Sequence, residues 1–144
     1  MGYRRKSREL ALQMLFQLDV NKNGPDWRKH FWELHPAPME ARAFADALVD
    51  GVLKHQTDID RLIQKHAQHW TLKRMSIIDR NILRCAIFEL LMLSDIPAKV
   101  TINEAIEIAK RYSDDEASAF VNGILDHIIK EESLAKKGVK VSNE

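Results

Sequence analysis

The chain has 144 residues, 45% hydrophobic and 30% charged, which suits a globular domain and excludes disorder throughout. The formal net charge is +1, so any preference for nucleic acid or membrane must come from local clustering. No apolar run approaches the roughly 20 residues of a membrane span, no signal-peptide pattern follows the basic start, and the single Cys85 cannot form an internal disulfide. A cytoplasmic protein with a core thiol is expected.

The chain opens on Arg4-Arg5-Lys6-Ser7-Arg8, four cations before the first carboxylate, Glu9. At about 100° per residue, Leu10, Ala11, Met14, Leu15 and Leu18 share one face of the helix that follows. Leu12 and Phe16 fall on the side of Arg5, Arg8 and Glu9. Either the helix is packed on two sides, or an aromatic sits among cations on an open surface. Asn21-Lys22-Asn23-Gly24-Pro25 ends it. Pro25 and Asp26 can open a short helix carrying Trp27, Phe31 and Trp32, and His35-Pro36-Ala37-Pro38 forces an extended break.

Helical spacing returns from Met39 to about His55, with Phe44, Ala47, Leu48, Gly51 and Val52 on one side. Thr57 is placed to cap a further helix with the stripe Ile59, Leu62, Ile63, His66 and Trp70. His66 on that stripe reads as a packed core histidine rather than a ligand paired with His69. Met75 to about Leu93 is apolar around most of its circumference and should be the central, buried helix. Arg80 and Arg84, one turn apart, can form an exposed charged strip at its first half.

Ser94-Asp95-Ile96-Pro97 breaks that helix, and Thr101-Ile102-Asn103-Glu104 reads as a capping box for the next, which reaches Tyr112. Ser113-Asp114-Asp115 caps a last helix carrying Ala117, Phe120, Val121, Ile124, Leu125, Ile128 and Ile129. Gly123 inside it costs roughly 1 kcal/mol against Ala, so a close helix–helix contact is expected there. Residues 133–144 read as a flexible polar tail, leaving 1–132 as a single domain. No segment alternates with period two, so the fold class is all-α with about seven helices.

No phosphate loop, nucleophile elbow or metal-ligand spacing stands out, so neither catalytic residues nor a metal or cofactor is expected. The basic start carries more. Cations at a helix N-terminus oppose the helix dipole, and an anion such as phosphate would neutralise them, Arg offering two donors at once. A solvated basic terminus fits the charge pattern equally well.

Four blocks resemble the bacterial NusB family of transcription antitermination factors. They are Arg4 to Phe16, Asp79-Arg80-Asn81-Ile82-Leu83-Arg84-Cys85-Ala86-Ile87-Phe88-Glu89-Leu90, Ile96 to Tyr112, and Phe120-Val121-Asn122-Gly123-Ile124-Leu125-Asp126. They stand in the family's order and cover nearly the whole chain. The resemblance implies two packed small helical bundles. It also implies binding to the single-stranded boxA element of nascent ribosomal RNA together with NusE, a ribosomal small-subunit protein. Other Nus factors and RNA polymerase would be engaged indirectly, suppressing premature termination.

Carried over by position, Arg4, Arg5, Lys6 and Arg8 would meet RNA phosphates, and Phe16 and Phe120 would lie against bases. Phe16 stands where the family usually has Tyr, and Ala119 where a Lys can stand. Glu116, Asp79 and Arg80 match positions near the RNA or NusE surfaces, Glu116 assigned to RNA and the other two to the partner. Cations on phosphates and aromatics on splayed bases are how single-stranded RNA is held. Four phosphate contacts would give a salt slope of about −3.

Two alternatives remain open. NusB-like domains also form the RNA-binding part of ribosomal RNA cytosine methyltransferases, but no strand–glycine-loop–helix pattern of a cofactor domain precedes Glu144, which favours the free-standing factor. Some family members pair with themselves, so a homodimer is the other.

Overall fold

A computed structural model describes residues 2–21, 23–67 and 72–132. Among these residues every regular element is helical: α1 Tyr3–Val20, α2 Trp27–Leu34, α3 Met39–Ala67, a single 3₁₀ turn Leu72–Arg74, α4 Ile77–Met92, α5 Ala98–Tyr112 and α6 Asp115–Glu131. The break expected near His55 is present: His55 leaves the helical region at φ −108°, ψ 15°, and α3 is two helical stretches meeting at that kink. Trp70, His69 and the proposed tail lie outside the described residues.

The apolar circumference of α4 decides the architecture. It packs against α1 and α3 on one side and against α5 and α6 on the other, so it belongs to both small bundles. Leu83 and Ile87 of α4 are fully buried, as are Met14 of α1, Leu48, Ile59 and Ile63 of α3, and Leu125 and Ile128 of α6. Each such side chain contributes about 1.5–3 kcal/mol by leaving water. Along α1 the expected stripe is buried at Leu10, Ala11, Met14 and Leu15, Leu18 is partly buried, and Leu12 is buried too. The helix is therefore packed on two sides for most of its length, and Phe16, 39% exposed, is where the second side opens to solvent.

Local chemistry sets the helix ends. Ser76 Oγ accepts from the Asp79 amide at 3.0 Å and opens α4. Asp114 Oδ1 accepts from the Ala117 amide at 2.7 Å and opens α6, as its sequence indicates. The capping box at Thr101 is not formed. Pro97 is the N-cap of α5, four residues earlier than the Thr101 hydroxyl would place it, because the fixed φ of proline suits a helix start. Thr101 and Glu104 are then inside the helix and free for other partners. Arg84 also departs from expectation. It is buried, with its guanidinium on both oxygens of Asp60 at 2.8 and 3.0 Å and on Asp19 at 3.1 Å, so no exposed strip forms.

The close approach expected at Gly123 occurs elsewhere. Nothing lies within 4 Å of where a Cβ on Gly123 would point, whereas a Cβ on Gly51 of α3 would fall inside the ring of Phe88 on α4. Gly51→Ala should therefore destabilise by about 1–3 kcal/mol through overpacking. Gly123→Ala should be neutral or stabilising by up to about 1 kcal/mol. Urea midpoints of the two variants check this, and equal effects would contradict the assignment.

Candidate nucleic-acid interface

The basic residues divide by depth as α1 turns. Gly2 caps α1 without a side-chain bond, and no acid stands in the first turn. Ser7 Oγ lies 2.8 Å from both Tyr3 O and Ala41 O and shares its one proton between them, tying this turn to the start of α3. Lys6 is exposed. Arg4 lies 4.8 Å above the Phe44 ring, with Asp95 a distant 3.9 Å away. Arg5 is half-exposed but donates from Nε and Nη2 to both oxygens of Glu104 at 2.8 Å. That bond holds the Glu104 carboxyl below its usual range, although partial burial works the other way. Asp95, Pro97 and Glu104 face Arg4 and Arg5 across an open cleft of about 450 Å³.

Arg8 is placed differently from its expected role. Its side chain is only 7% exposed, and its fork closes on Glu89 of α4 at 2.7 and 2.8 Å. Glu89 also accepts from the Thr101 hydroxyl at 3.0 Å. Burial works against the charge on Arg8, but the bond to Glu89 and its charge prevail and hold the guanidinium protonated. The face that packs on α4 turns this arginine inward, so that only its edge reaches the cleft it shares with Arg4 and Arg5.

The aromatic end of α1 is about 16 Å from Arg5, counting eleven residues along the helix. There Phe16 faces Tyr112, His35, Ile78 and Gln13 across an apolar cleft of about 440 Å³. His35 is stacked on Phe31 at 4.1 Å between ring centroids. A second cleft of about 380 Å³ lies beyond the first turn of α4 and brings together Asp79, Glu116 and Phe120, with Arg74, Ser76 and Ser113. Ile78 and Tyr112 in one cleft are chain neighbours of Asp79 and Ser113 in the other, so the two are adjacent. Arg80 turns aside from them toward Asp19, at 3.4 Å. Each cleft is large enough for a splayed base, and the acidic rim of the second can accept from amino groups.

One oxygen of Asp79 is buried without a hydrogen-bond partner. Burial raises its carboxyl above the usual range, against the pull of Ser76 and Ser113. Cys85 is buried in the core, and burial pushes its thiol up to about 12, which leaves it unreactive. His66 is buried and bonded to His127 at 2.8 Å and Glu132 at 3.0 Å. Among the described residues no group of three or more His, Cys, Asp or Glu side chains is placed to hold a metal ion. No helix among them is long and apolar enough to cross a membrane.

Sequence reasoning missed the carboxylates that receive the arginines, Glu89 and Glu104, and it missed Arg111 and Tyr112. The run Lys110-Arg111-Tyr112, basic then aromatic at the end of α5, was the available signal for the last two.

The model of the NusB family matches residues 5–130. The chain belongs to the NusB family. The transcription antitermination protein NusB of Thermodesulfovibrio yellowstonii is 43% identical over 95% of this chain and 98% of its own length. That of Trichlorobacter lovleyi is 50% identical over 89% and 91%. Among solved structures, T. maritima NusB superposes with a TM-score of 0.80 at 41% identity, covering 89% of this chain and 91% of its own. A complex of the antitermination factors NusB and NusE with double-stranded RNA superposes at 0.81 and 30% identity, covering 91% and 98%. The NusB-like, all-helical fold read from the sequence is thus the fold observed.

Two outcomes follow from this geometry. Arg8→Ala strands a buried carboxylate and should cost about 3–5 kcal/mol, whereas replacing the pair together, Arg8→Met with Glu89→Leu, should recover most of it. Denaturant midpoints of both variants decide. The raised Asp79 carboxyl favours the folded state when protonated, so its contribution is present below the unfolded value and lost as pH rises through the folded one. Asp79→Asn should therefore be more stable than the parent at pH 7, with the gap closing below about pH 4. A variant less stable at pH 7 would mean that the charge at the start of α4 outweighs its burial.

Proposed function

We propose that this chain is an RNA-binding transcription antitermination factor. With NusE it binds the boxA element of nascent ribosomal RNA and, through other Nus factors on RNA polymerase, suppresses premature termination. It acts as a regulatory protein in the cytoplasm rather than as an enzyme. Membership of the NusB family supports the reading, as does the related complex of NusB and NusE with RNA.

The observation that carries it is the alignment of three features: a first turn of α1 whose cations lack acids in that turn, the Phe16 cleft, and the Phe120 cleft. Arg4, Arg5 and Lys6 hold phosphates, and the two aromatics receive bases, with Glu116 on the rim of the second cleft. Asp79 and Arg80 are assigned to the NusE side. Arg8 drops from the phosphate set because Glu89 occupies it, so three cations remain at this end and their share of the salt slope falls to about −2.

Fluorescence anisotropy with labelled boxA RNA, alone and with NusE, tests the reading against a scrambled RNA. Arg4→Ala with Lys6→Ala should weaken binding and lower the salt slope by about 1.4, at unchanged helicity. Equal affinity for boxA and scrambled RNA, or a double variant that binds as the parent does, would refute it.

A further inference from the structure

The seam between the two bundles runs between α1 and α5, with α4 as its floor, and two hydrogen-bonded ion pairs cross it in opposite directions. Arg5 of α1 reaches over to Glu104 of α5. Arg111 of α5 reaches back to Glu9 of α1, Nη1 to Oε2 at 3.0 Å. Between them lies a narrow apolar gap of about 20 Å³, lined by Leu12, Cys85, Ala105 and Ile108. The partners on α5, Glu104 and Arg111, are seven residues apart, about 10 Å along the helix.

The second pair is lopsided. The Glu9 side chain is 6% exposed, whereas that of Arg111 is 67% exposed. A buried carboxylate thus fixes one nitrogen of a guanidinium whose remaining surface faces solvent. The same guanidinium lies 5.8 Å from the centre of the Tyr112 ring, and Tyr112 lines the cleft of Phe16. Arg111 therefore stands between the basic first turn of α1 and the first aromatic cleft, already held in position. Exposed Lys110 beside it adds a positive charge that Glu9 does not offset.

We propose that Arg111 is a phosphate-binding residue of the RNA surface, linking the cations of α1 to the Phe16 cleft so that one single strand crosses the seam. The inference rests on the RNA-binding reading above. A guanidinium can donate to a carboxylate along one edge and to a phosphate oxygen from another. Because Glu9 has already fixed the side chain, little of its rotamer freedom remains to be lost when a phosphate arrives.

Labelled boxA RNA and fluorescence anisotropy across a salt series test this on the full chain. Arg111→Ala should weaken binding roughly tenfold, the scale of one charged hydrogen bond, and lower the salt slope by about 0.7. Arg111→Lys should restore the slope but only part of the affinity. Since Arg111→Ala leaves Glu9 buried and unpaired, Arg111→Ala combined with Glu9→Gln removes that charge and should show the same loss of RNA affinity. Parent-like affinity and slope in the double variant would overturn the proposal alone. A loss seen only when NusE is present would also overturn it, assigning Arg111 to the protein contact. A parent that does not bind boxA RNA would overturn the RNA-binding reading and this with it.

Discussion

Arg8 and Glu89 meet inside the protein, and three helices are fixed by that meeting. The arginine comes from α1, the carboxylate from α4, and the Thr101 hydroxyl that completes the set comes from α5. A pair so enclosed gains little net stability over a hydrophobic replacement, because removing both charges from water costs about what their attraction returns. Its consequence is geometric. Methyl-rich faces can slide by part of a turn at small cost, whereas a two-pronged bond to a buried carboxylate has one register. With α1 held at Arg8, Arg4 and Arg5 emerge on the open side one turn earlier, and Phe16 emerges two turns later at the far cleft. The spacing of the whole surface follows from that one fixed point.

A second enclosed network does the same at the other end of α4. Arg84 gathers Asp60 of α3, Asp19 of α1 and Asn81 of its own helix. Asn81 in turn donates to Asp19 at 2.9 Å. Two arginines on opposite sides of Cys85 thus lock both ends of α1 to the central helix. This explains how the most apolar helix of the chain carries buried charged residues without loss of packing. The buried side-chain polar groups in its middle have partners, and the unpartnered oxygen of Asp79 lies in its half-buried first turn.

What the sequence conveys is limited by range. Periodicity and turn residues report on neighbours within a few positions, and they give α1, α2, α4 and α6, together with the cap at Asp114. They also identify α4 as central, since a helix apolar all round has no other place to go. They fail where the deciding partner is far along the chain. Arg8 looks like its neighbours until Glu89, 81 residues later, is seen to hold it. Thr101 and Glu104 have the spacing of a capping box, yet they serve Glu89 and Arg5. Gly123 and Gly51 are both helical glycines, and only the position of the Phe88 ring separates them. The basic patch was legible as charge but not as depth, so its membership could not be settled from one strand of sequence.

The carboxylates facing the exposed arginines alter what kind of binder such a surface can be. An arginine free in solvent gains its full attraction to any phosphate and discriminates little among strands. One already held by Glu104, as Arg5 is, must give up or share that bond, and only the difference contributes to affinity. Such a surface binds an arbitrary anion weakly. On the proposed reading it rewards a strand that satisfies several stations together, phosphate at one end and bases in the clefts of Phe16 and Phe120. The same exchange lowers the total affinity available from charge alone. A protein of this construction gains sequence preference from its aromatic clefts and leaves much of the binding strength to be supplied by a partner bound beside it.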